Sequence, residues 1–561
     1  MTATSRPWRR TLRTGLLWGT GAVFVALVGL VEVLQGKEII TGVIAGGHLL
    51  MLLLAAGAGL SAARPQAHRP GVAVGSAAAS GLVAGLVVGA LVALASAMPL
   101  RGMFVAASPE LFAILSFGRG VAALPWIALT GAAVAAGGGA LIVLPRAIRA
   151  LLSAMIGALL VIGLLHEQVQ LLLQADRLTP LRELVFSFEG LTPVGALLIA
   201  GVSAAVSGLW QVQRPRMGAR IAALPPQGRR RLRLVGMLAS VLGLLVLPLF
   251  VGPFFSQVLV LVGLYTLMGL GLNLEVGFAG LLDLGFVAFF AAGAYTVGLL
   301  TTGTDLAVAS LSWWSAMLVA VVVSLIAGVF FGLPVLGIRG DYLAIATLGF
   351  GEIIRLLVLS DFLRPWLGGS QGVLGIPKPV LFGFEFRGPE QLFFITVGAS
   401  AVIAFIAARL RDSRLGRAWM AMREDEDVAQ AMGINLVNVK LLAYGIGAIF
   451  AGVSGAIFAV MVGSVFPHSF SVLVSINVLA LIIVGGMGSL PGVVVGALFL
   501  VGLPELLREF SDFRYLVYGA ALMAMMILRP EGLWPSAAQR RELHEEIETV
   551  PPGEMIEAEE V

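Results

Sequence analysis

The sequence predicts an all-α, polytopic transmembrane helical bundle of about 14–16 spans, with discontinuous helices in its C-terminal module. Three observations predict it. Hydrophobic residues fill 58% of 561 positions and charged residues only 12%, whereas a soluble domain is about 45–50% apolar and about 25% charged. Apolar runs long enough to cross a bilayer, about 20 residues each, recur along the chain. Glycine (71) and proline (26) fall inside those runs, where small residues let helices approach closely and broken helices are tolerated once neighbours satisfy the backbone. The chain has no cysteine, which excludes disulfides, thiol catalysis and cysteine-ligated metals. The net charge of +4 is concentrated in the connections, so it reads as a topology signal and not as nucleic-acid binding.

The first module spans 1–210. Arg6, Arg9, Arg10 and Arg13 precede an apolar run from about Gly15 to Leu34. A basic flank before a run this long, without a clear small-residue cleavage site, reads as a cytoplasmic N-terminus entering a first span. Further runs lie near 39–61, 71–98, 121–144, 150–173 and 192–210. Arginines fall in alternate connections: Arg64 and Arg69, then Arg146 and Arg149, then a cluster from Arg214 to Arg233. About six spans with both ends inside satisfy the positive-inside rule at each basic loop.

Residues 211–233, with Pro215, Pro225 and Pro226 among the arginines, are expected to form a cytosolic linker. The second module, 234–535, has apolar runs near 234–252, 256–274, 278–301, 313–336, 343–359, 392–410, 441–462, 472–486, 492–507 and 513–529. The tail, 536–561, is acidic and is expected in the cytosol, so both termini are cytoplasmic.

The most informative polar stretch is Arg409 to Lys440, RLRDSRLGRAWMAMREDEDVAQAMGINLVNVK. Its arginines place it in the cytosol. Glu424, Asp425, Glu426 and Asp427 precede a short helical stretch, Val428 to Met432. Carboxylates there complement the positive end of the helix dipole, and Gly433 is placed to end the helix. By itself this is also how an ordinary solvated loop would read.

Asp427-Val428-Ala429, three residues, then Gly433 resembles a relaxed EAA-x-x-x-G pattern of ATP-binding-cassette importer permeases. The longer stretch GRAWMAMREDEDVAQAMGINLVNVKLLAYGIGAIFAGVSGAIFA (Gly416–Ala459) resembles the branched-chain amino acid permease family. GLNLEVGFAGLLDLGFVAFFAAGAYT (Gly271–Thr296), IRGDYLAIATLGFGEIIRLL (Ile338–Leu357), GGSQGVLGIP (Gly368–Pro377), LIIVGGMGSLPGVVVGALFLVGLPELLREF (Leu481–Phe510) and LRPEGLWP (Leu528–Pro535) match in the family's order. The resemblance covers about 234–535; residues 1–233 carry none.

The resemblance implies a permease subunit of an importer in a bacterial inner membrane. Two ATPase subunits, a second permease chain (homologous or identical), an extracytoplasmic solute-binding protein and surrounding lipid are the implied partners. No cofactor is implied. Arg423, Glu424, Asp425, Asp427, Ala429 and Gly433 are the implied ATPase-coupling loop. Asp and Val replace the family's Glu and first Ala, and Asp283 and Phe286 stand where the family has Ser and His. The second departure leaves the substrate open among branched-chain amino acids, urea, short amides and another small polar solute.

Within the apolar runs, Glu352 and Arg355 stand at spacing i, i+3 and share a helix face. They read either as a polar pathway lining or gate, or as a structural ion pair. Asp283 and Glu275 lie near a helix boundary, where they either serve the pathway or reach the interface. Gly485-Gly486-Met487-Gly488-Ser489 with Pro491 breaks a span, either as a pore or re-entrant element or as a tight turn. No G-x-x-x-x-G-K-[ST] occurs and the lysines are Lys37, Lys378 and Lys440, so ATP hydrolysis is expected on a separate chain. The five histidines form no H-E-x-x-H or nucleophile elbow, which disfavours a membrane-embedded enzyme. An ion-coupled secondary carrier, with Glu352 or Asp283 as ion site, remains the competing class.

Overall fold

The computed structural model describes residues 6–173, 179–223, 225–510 and 513–536. The acidic tail after Ser536 lies outside the described residues. Contacts divide the chain into two compact units, Met1–Ser240 and Val241–Val561.

The first unit contains α1 (Arg6–Leu27), α2 (Gly46–Ala63), α3 (Pro70–Ala97), α4 (Leu124–Val143), α5 (Arg146–Leu164) and α6 (Pro193–Ala223). A short hairpin pairs Glu38–Ile40 with Ile44–Ala45. Helix α3 packs on α1, α2 and α4, and α5 packs on α6. These helices approach backbone to backbone: a Cβ at Gly59 would overlap the Ala135 carbonyl, and one at Gly81 the Gly131 carbonyl. Small residues are how apolar helices gain contact in lipid, where the hydrophobic effect supplies no drive between them.

Residues 211–233, expected as a linker, are helical on both sides of position 224. Helix α6 continues through Pro215 to Ala223, and α7 runs Pro226–Val246. Arginine, leucine and alanine are good helix formers, so a basic composition does not by itself break a helix.

The second unit continues with α8 (Pro248–Leu272), α9 (Val287–Thr301), α10 (Trp313–Val335), α11 (Asp341–Leu359), α12 (Pro389–Arg411), α13 (Arg414–Glu424), α14 (Glu426–Ala431), α15 (Leu436–Val462), α16 (Val472–Gly485), α17 (Leu490–Ala497) and α18 (Phe513–Leu528). Helix α15 is the hub, packed against α8, α9 and α10. Its glycines make that possible. A Cβ at Gly452 would overlap Ser324, and one at Gly455 the Phe290 carbonyl. Helix α8 is kinked at Gly252 (φ 76°) before Pro253 and ends in a π-helical turn, Asn273–Phe278.

Among the described residues, ten helices are long and apolar enough to cross a membrane, or eleven if the bent pair Val472–Gly485 and Leu490–Leu506 is one span. The other runs behind the expectation of about 14–16 have physical reasons to differ. Arg6–Leu27 and Pro226–Val246 begin with arginines, Val287–Thr301 and Phe513–Leu528 are short, and the runs near 472–486 and 492–507 fold against one another at 119°.

Candidate functional site

The polar segment Arg409–Lys440 is built from local caps. Ser413 Oγ accepts the Gly416 N–H at 3.2 Å and starts α13. Asp425 Oδ1 accepts the N–H groups of Asp427 and Val428, each at 2.9 Å, and starts α14. Such caps satisfy donors that a helix start leaves open. Gly433, at φ +88°, ends α14, and Asn435 Oδ1 then caps α15 through the Asn438 N–H.

Three basic residues, Arg339, Lys440 and Arg423, anchor this segment. Arg339, from the connection between α10 and α11, meets Glu426 at 3.1 Å and Asp427 at 2.9 Å. Lys440 on α15, only 3% exposed, meets Glu426 at 2.8 Å. Arg423 Nη1 donates to the Gly277 carbonyl at 2.7 Å, at the end of the α8 π-turn. Trp419 is buried and donates Nε1–H to the Val439 carbonyl at 2.9 Å. The guanidinium of Arg339 holds the Asp427 carboxyl below the usual carboxylate range.

The two faces of α14 differ. Ala429 is 3% exposed and belongs to the core of its own unit, whereas Val428 and Met432 are 59% and 80% exposed. Arg423, Glu424 and Asp425 line the outer edge. The expected coupling residues are therefore together, with Ala429 turned inward. Sequence reasoning missed Arg339 and Lys440; the rarity of lysine and the Ile338–Leu357 motif were the available signals.

The second group lies among the apolar helices. Arg355 Nε donates to both carboxylate oxygens of Glu352 at 3.0 Å, so the i, i+3 pair is formed, and both side chains stay partly exposed. Asp283 and Glu275 do not reach an interface: both are buried. Asp283 Oδ1 accepts the Gly285 N–H at 2.7 Å, and Thr347 Oγ1 accepts the Leu284 N–H at 3.0 Å. The Glu352–Arg355 pair and Asp283 are not in hydrogen-bond contact with one another.

Gly485 and Gly486 form the bend between α16 and α17, with Gly486 at φ +114°. Protein covers this bend. Leu533 N–H donates to the Val484 carbonyl at 2.8 Å, Trp534 N–H to the Gly485 carbonyl at 2.9 Å, and Gly488 N–H to Asn273 Oδ1 at 2.8 Å. A broken helix buried in protein is a tolerated form of irregular backbone in a membrane protein. Among the described residues no cluster of three or more histidine, aspartate or glutamate side chains is arranged for a metal ion.

The family model described as "Branched-chain amino acid transport system / permease component" matches residues 254–528. The chain is 41% identical over 295 residues to the high-affinity branched-chain amino acid transport system permease protein LivM of Salmonella typhimurium, covering 48% of this chain and 68% of that protein. It is 24% identical over 326 residues to the probable LivM of Methanocaldococcus jannaschii, covering 50% and 93%. It is 27% identical over 194 residues to LivH of Escherichia coli, covering 32% and 62%. No solved structure matches the chain significantly. With the matched region carrying the capped helix α14, the buried glycine bend and the α15 hub, the chain belongs to the family of branched-chain amino acid transport system permeases and is a multi-pass ABC permease component, a transporter subunit and not an enzyme.

Proposed function

We propose that this permease moves branched-chain amino acids inward across a bacterial inner membrane, in complex with a second permease chain, two ATPase subunits and an extracytoplasmic binding protein. The observation that carries the reading is the ordered match through 254–528, at 41% identity to a LivM protein, around a segment suited to transmit force. In this reading α14 presents Val428 and Met432 to a groove of the ATPase, and residues 211–233, 411–440 and 530–561 face the cytosol with both termini. Movement of α14 would pull at once on α15 through Glu426–Lys440, on the α10–α11 connection through Arg339, and on α8 through Arg423. Nucleotide-driven closure of the ATPases would then reorient several helices together, a rigid-body switch. Glu352 and Arg355, Asp283, and the Gly485–Gly486 bend are the proposed pathway or gate elements.

The test is uptake into vesicles holding the full complex. ATP-dependent leucine uptake is expected, with no response to an imposed ion gradient. Uptake that followed an ion gradient without ATP would replace the importer with a secondary carrier. Asp283 and Phe286 favour one further comparison, competition of leucine uptake by urea and acetamide. Competition by these, and none by isoleucine or valine, would move the substrate to the amide branch.

A further inference from the structure

The connection between α11 and α12 carries a hairpin whose tip is both strained and bare. Val380–Leu381 pairs with Phe384–Glu385 across the two-residue loop Phe382-Gly383. Both loop residues have positive φ, +51° at Phe382 and +83° at Gly383. Turns of this kind match the twist of their strands and favour Asn-Gly or Gly-Gly, because most side chains crowd the backbone at positive φ. A phenylalanine at the first position is an outlier. Its ring is fully exposed, and Val380, Leu381 and Phe384 beside it are exposed as well. A ring in that position has no packing within its own chain to offset the strain.

The hairpin is nevertheless firmly held. Phe386 N–H donates to the Pro379 carbonyl at 2.9 Å. Trp314 Nε1–H, from the first turn of α10, donates to the Val380 carbonyl at 2.9 Å, and Lys378 Nζ donates to the Met461 carbonyl near the end of α15 at 3.2 Å. These contacts fix where the tip stands. Helices α10 and α12 are 23 residues each, about 34 Å at a rise of about 1.5 Å per residue, enough to cross a hydrocarbon core. Both run toward the α14 end of the unit, α10 through Arg339 and α12 through α13. Trp314 and Pro389 begin them at the opposite end, so the hairpin lies at the depth where these spans leave the membrane. It also lies on the lipid side. Leu318, Val322 and Ile326 follow Trp314 along α10 at four-residue steps and all are exposed, and an apolar face left open on a spanning helix is solvated by lipid.

We propose that this hairpin is an interfacial anchor, with its Phe382 tip inserted at the headgroup–acyl boundary of the leaflet opposite α14. Phospholipid is its partner. The rings of Phe382 and Phe384 enter the boundary layer, while the charged pair Glu385–Arg387 at the base, joined at 2.7 Å, stays among headgroups and water. Transfer of the exposed ring out of water offsets the strain at positive φ. Because Trp314 and Lys378 tie the same hairpin to α10 and α15, the anchor sets the depth of both helices in the bilayer.

The experiment uses the full chain, which has no cysteine of its own, in nanodiscs of phosphatidylethanolamine and phosphatidylglycerol. A nitroxide is attached to Phe382→Cys and, for comparison, to Arg387→Cys. Oxygen concentrates in lipid and a charge-neutral nickel chelate in water, so the ratio of their collision rates with the label reads its depth. That ratio is expected to be several-fold higher for Phe382→Cys than for Arg387→Cys. Phe382→Asn installs the favoured Asn-Gly turn, so the thermal midpoint in detergent should hold or rise, while a label at Phe384→Cys in that background should lie less deep. Equal ratios at the two labelled positions would put the tip in water and overturn the anchor. A tip shielded from nickel only after a binding protein or a second permease chain is added would make the hairpin a protein-docking surface, which overturns it as well. A midpoint that falls in Phe382→Asn would mean that the ring packs on protein, with the same consequence.

Discussion

The two units bury polar groups in opposite ways. In residues 1–240 the buried polar side chains among the described residues are neutral serine, threonine and glutamine plus His166. Ser76 donates to the Ala73 carbonyl one turn back at 2.9 Å, and Ser80 reaches Ala58 on the neighbouring helix only at 3.4 Å. In residues 241–561 the buried set includes Asn273, Glu275, Asp283 and Lys440, and its bonds join distant parts of the chain. Ser454 donates to the Leu264 carbonyl at 2.9 Å, and Ser475 accepts the Val287 N–H at 2.9 Å. Small-residue packing holds helices together without fixing which atoms must meet. Buried polar bonds fix them, because each unmade bond leaves a desolvated group without a partner. The second unit, which carries the family match, is thus the one whose helices are held in register atom by atom.

The strongest way to break this comparison is at the Lys440–Glu426 contact. Glu426→Gln leaves Lys440 buried without its anion, a loss of about 3 kcal/mol by analogy with other half-broken buried pairs. The thermal midpoint of the purified chain should fall clearly, and Glu426→Gln with Lys440→Met should recover most of the loss. An unchanged midpoint in the single variant would mean that the contact anchors nothing.

Next in size are the two faces of α14. Ala429→Leu overfills a packed interior and should cost about 1–3 kcal/mol of stability. Met432→Arg adds a charge to an exposed position, so the midpoint should hold while copurification of the ATPase subunits falls. If Met432→Arg destabilised the chain and left ATPase association intact, the outward face would not be the coupling face.

Smaller still is the direct comparison of hydroxyls. Ser454→Ala should cost about 1 kcal/mol, an ordinary buried hydrogen bond. Ser76→Ala should stay within about 0.5 kcal/mol, because its short bond returns to its own helix and it reaches the Ala62 carbonyl of the neighbouring helix only at 3.4 Å. Equal losses in both would erase the distinction between the units.

What was legible in the sequence was local. The acids before Val428 and the glycine after Met432 gave the caps of α14, and i, i+3 spacing gave the Glu352–Arg355 pair, because each depends on neighbours within two turns. Arg339 was not legible as a partner of Asp427, since 88 residues separate them and only the fold brings the α10–α11 connection beside α14. The inward turn of Ala429 and the burial of Glu275 and Asp283 were hidden for the same reason. A carboxylate near a helix end reads as interfacial until a neighbour, here α15 with Gly447, is known to close over it. The basic run at 211–233 was legible as charge and not as conformation, being helical on both sides of position 224. Its arginines report charge, which sets topology, while helix or loop is decided by propensity and packing.

The smallest expected effect concerns the exposed end of the same clamp. Asp427 is held below the usual carboxylate range first by the hydrogen bond from Arg339 and then by its charge, and Arg339 is raised in return. A carboxyl depressed in the folded state contributes stability above its ordinary value of 3.8, and that contribution fades only as pH falls through the depressed value. The Arg339–Asp427 contact should therefore be unchanged from pH 7 to about 5 and weaken only in stronger acid. Arg339→Gln should move the Asp427 titration, followed by carbon NMR with Asp427→Asn as the assignment control, back up toward its ordinary range. The thermal midpoint near neutral pH should barely respond, since exposed ion pairs contribute little. That contrast is the sharpest form of the comparison: one arginine-rich clamp, with Glu426 joined to a buried lysine on one side and Asp427 in solvent on the other. A titration of Asp427 indifferent to Arg339→Gln would show that the exposed arm is not engaged, leaving Lys440 to hold α14 alone.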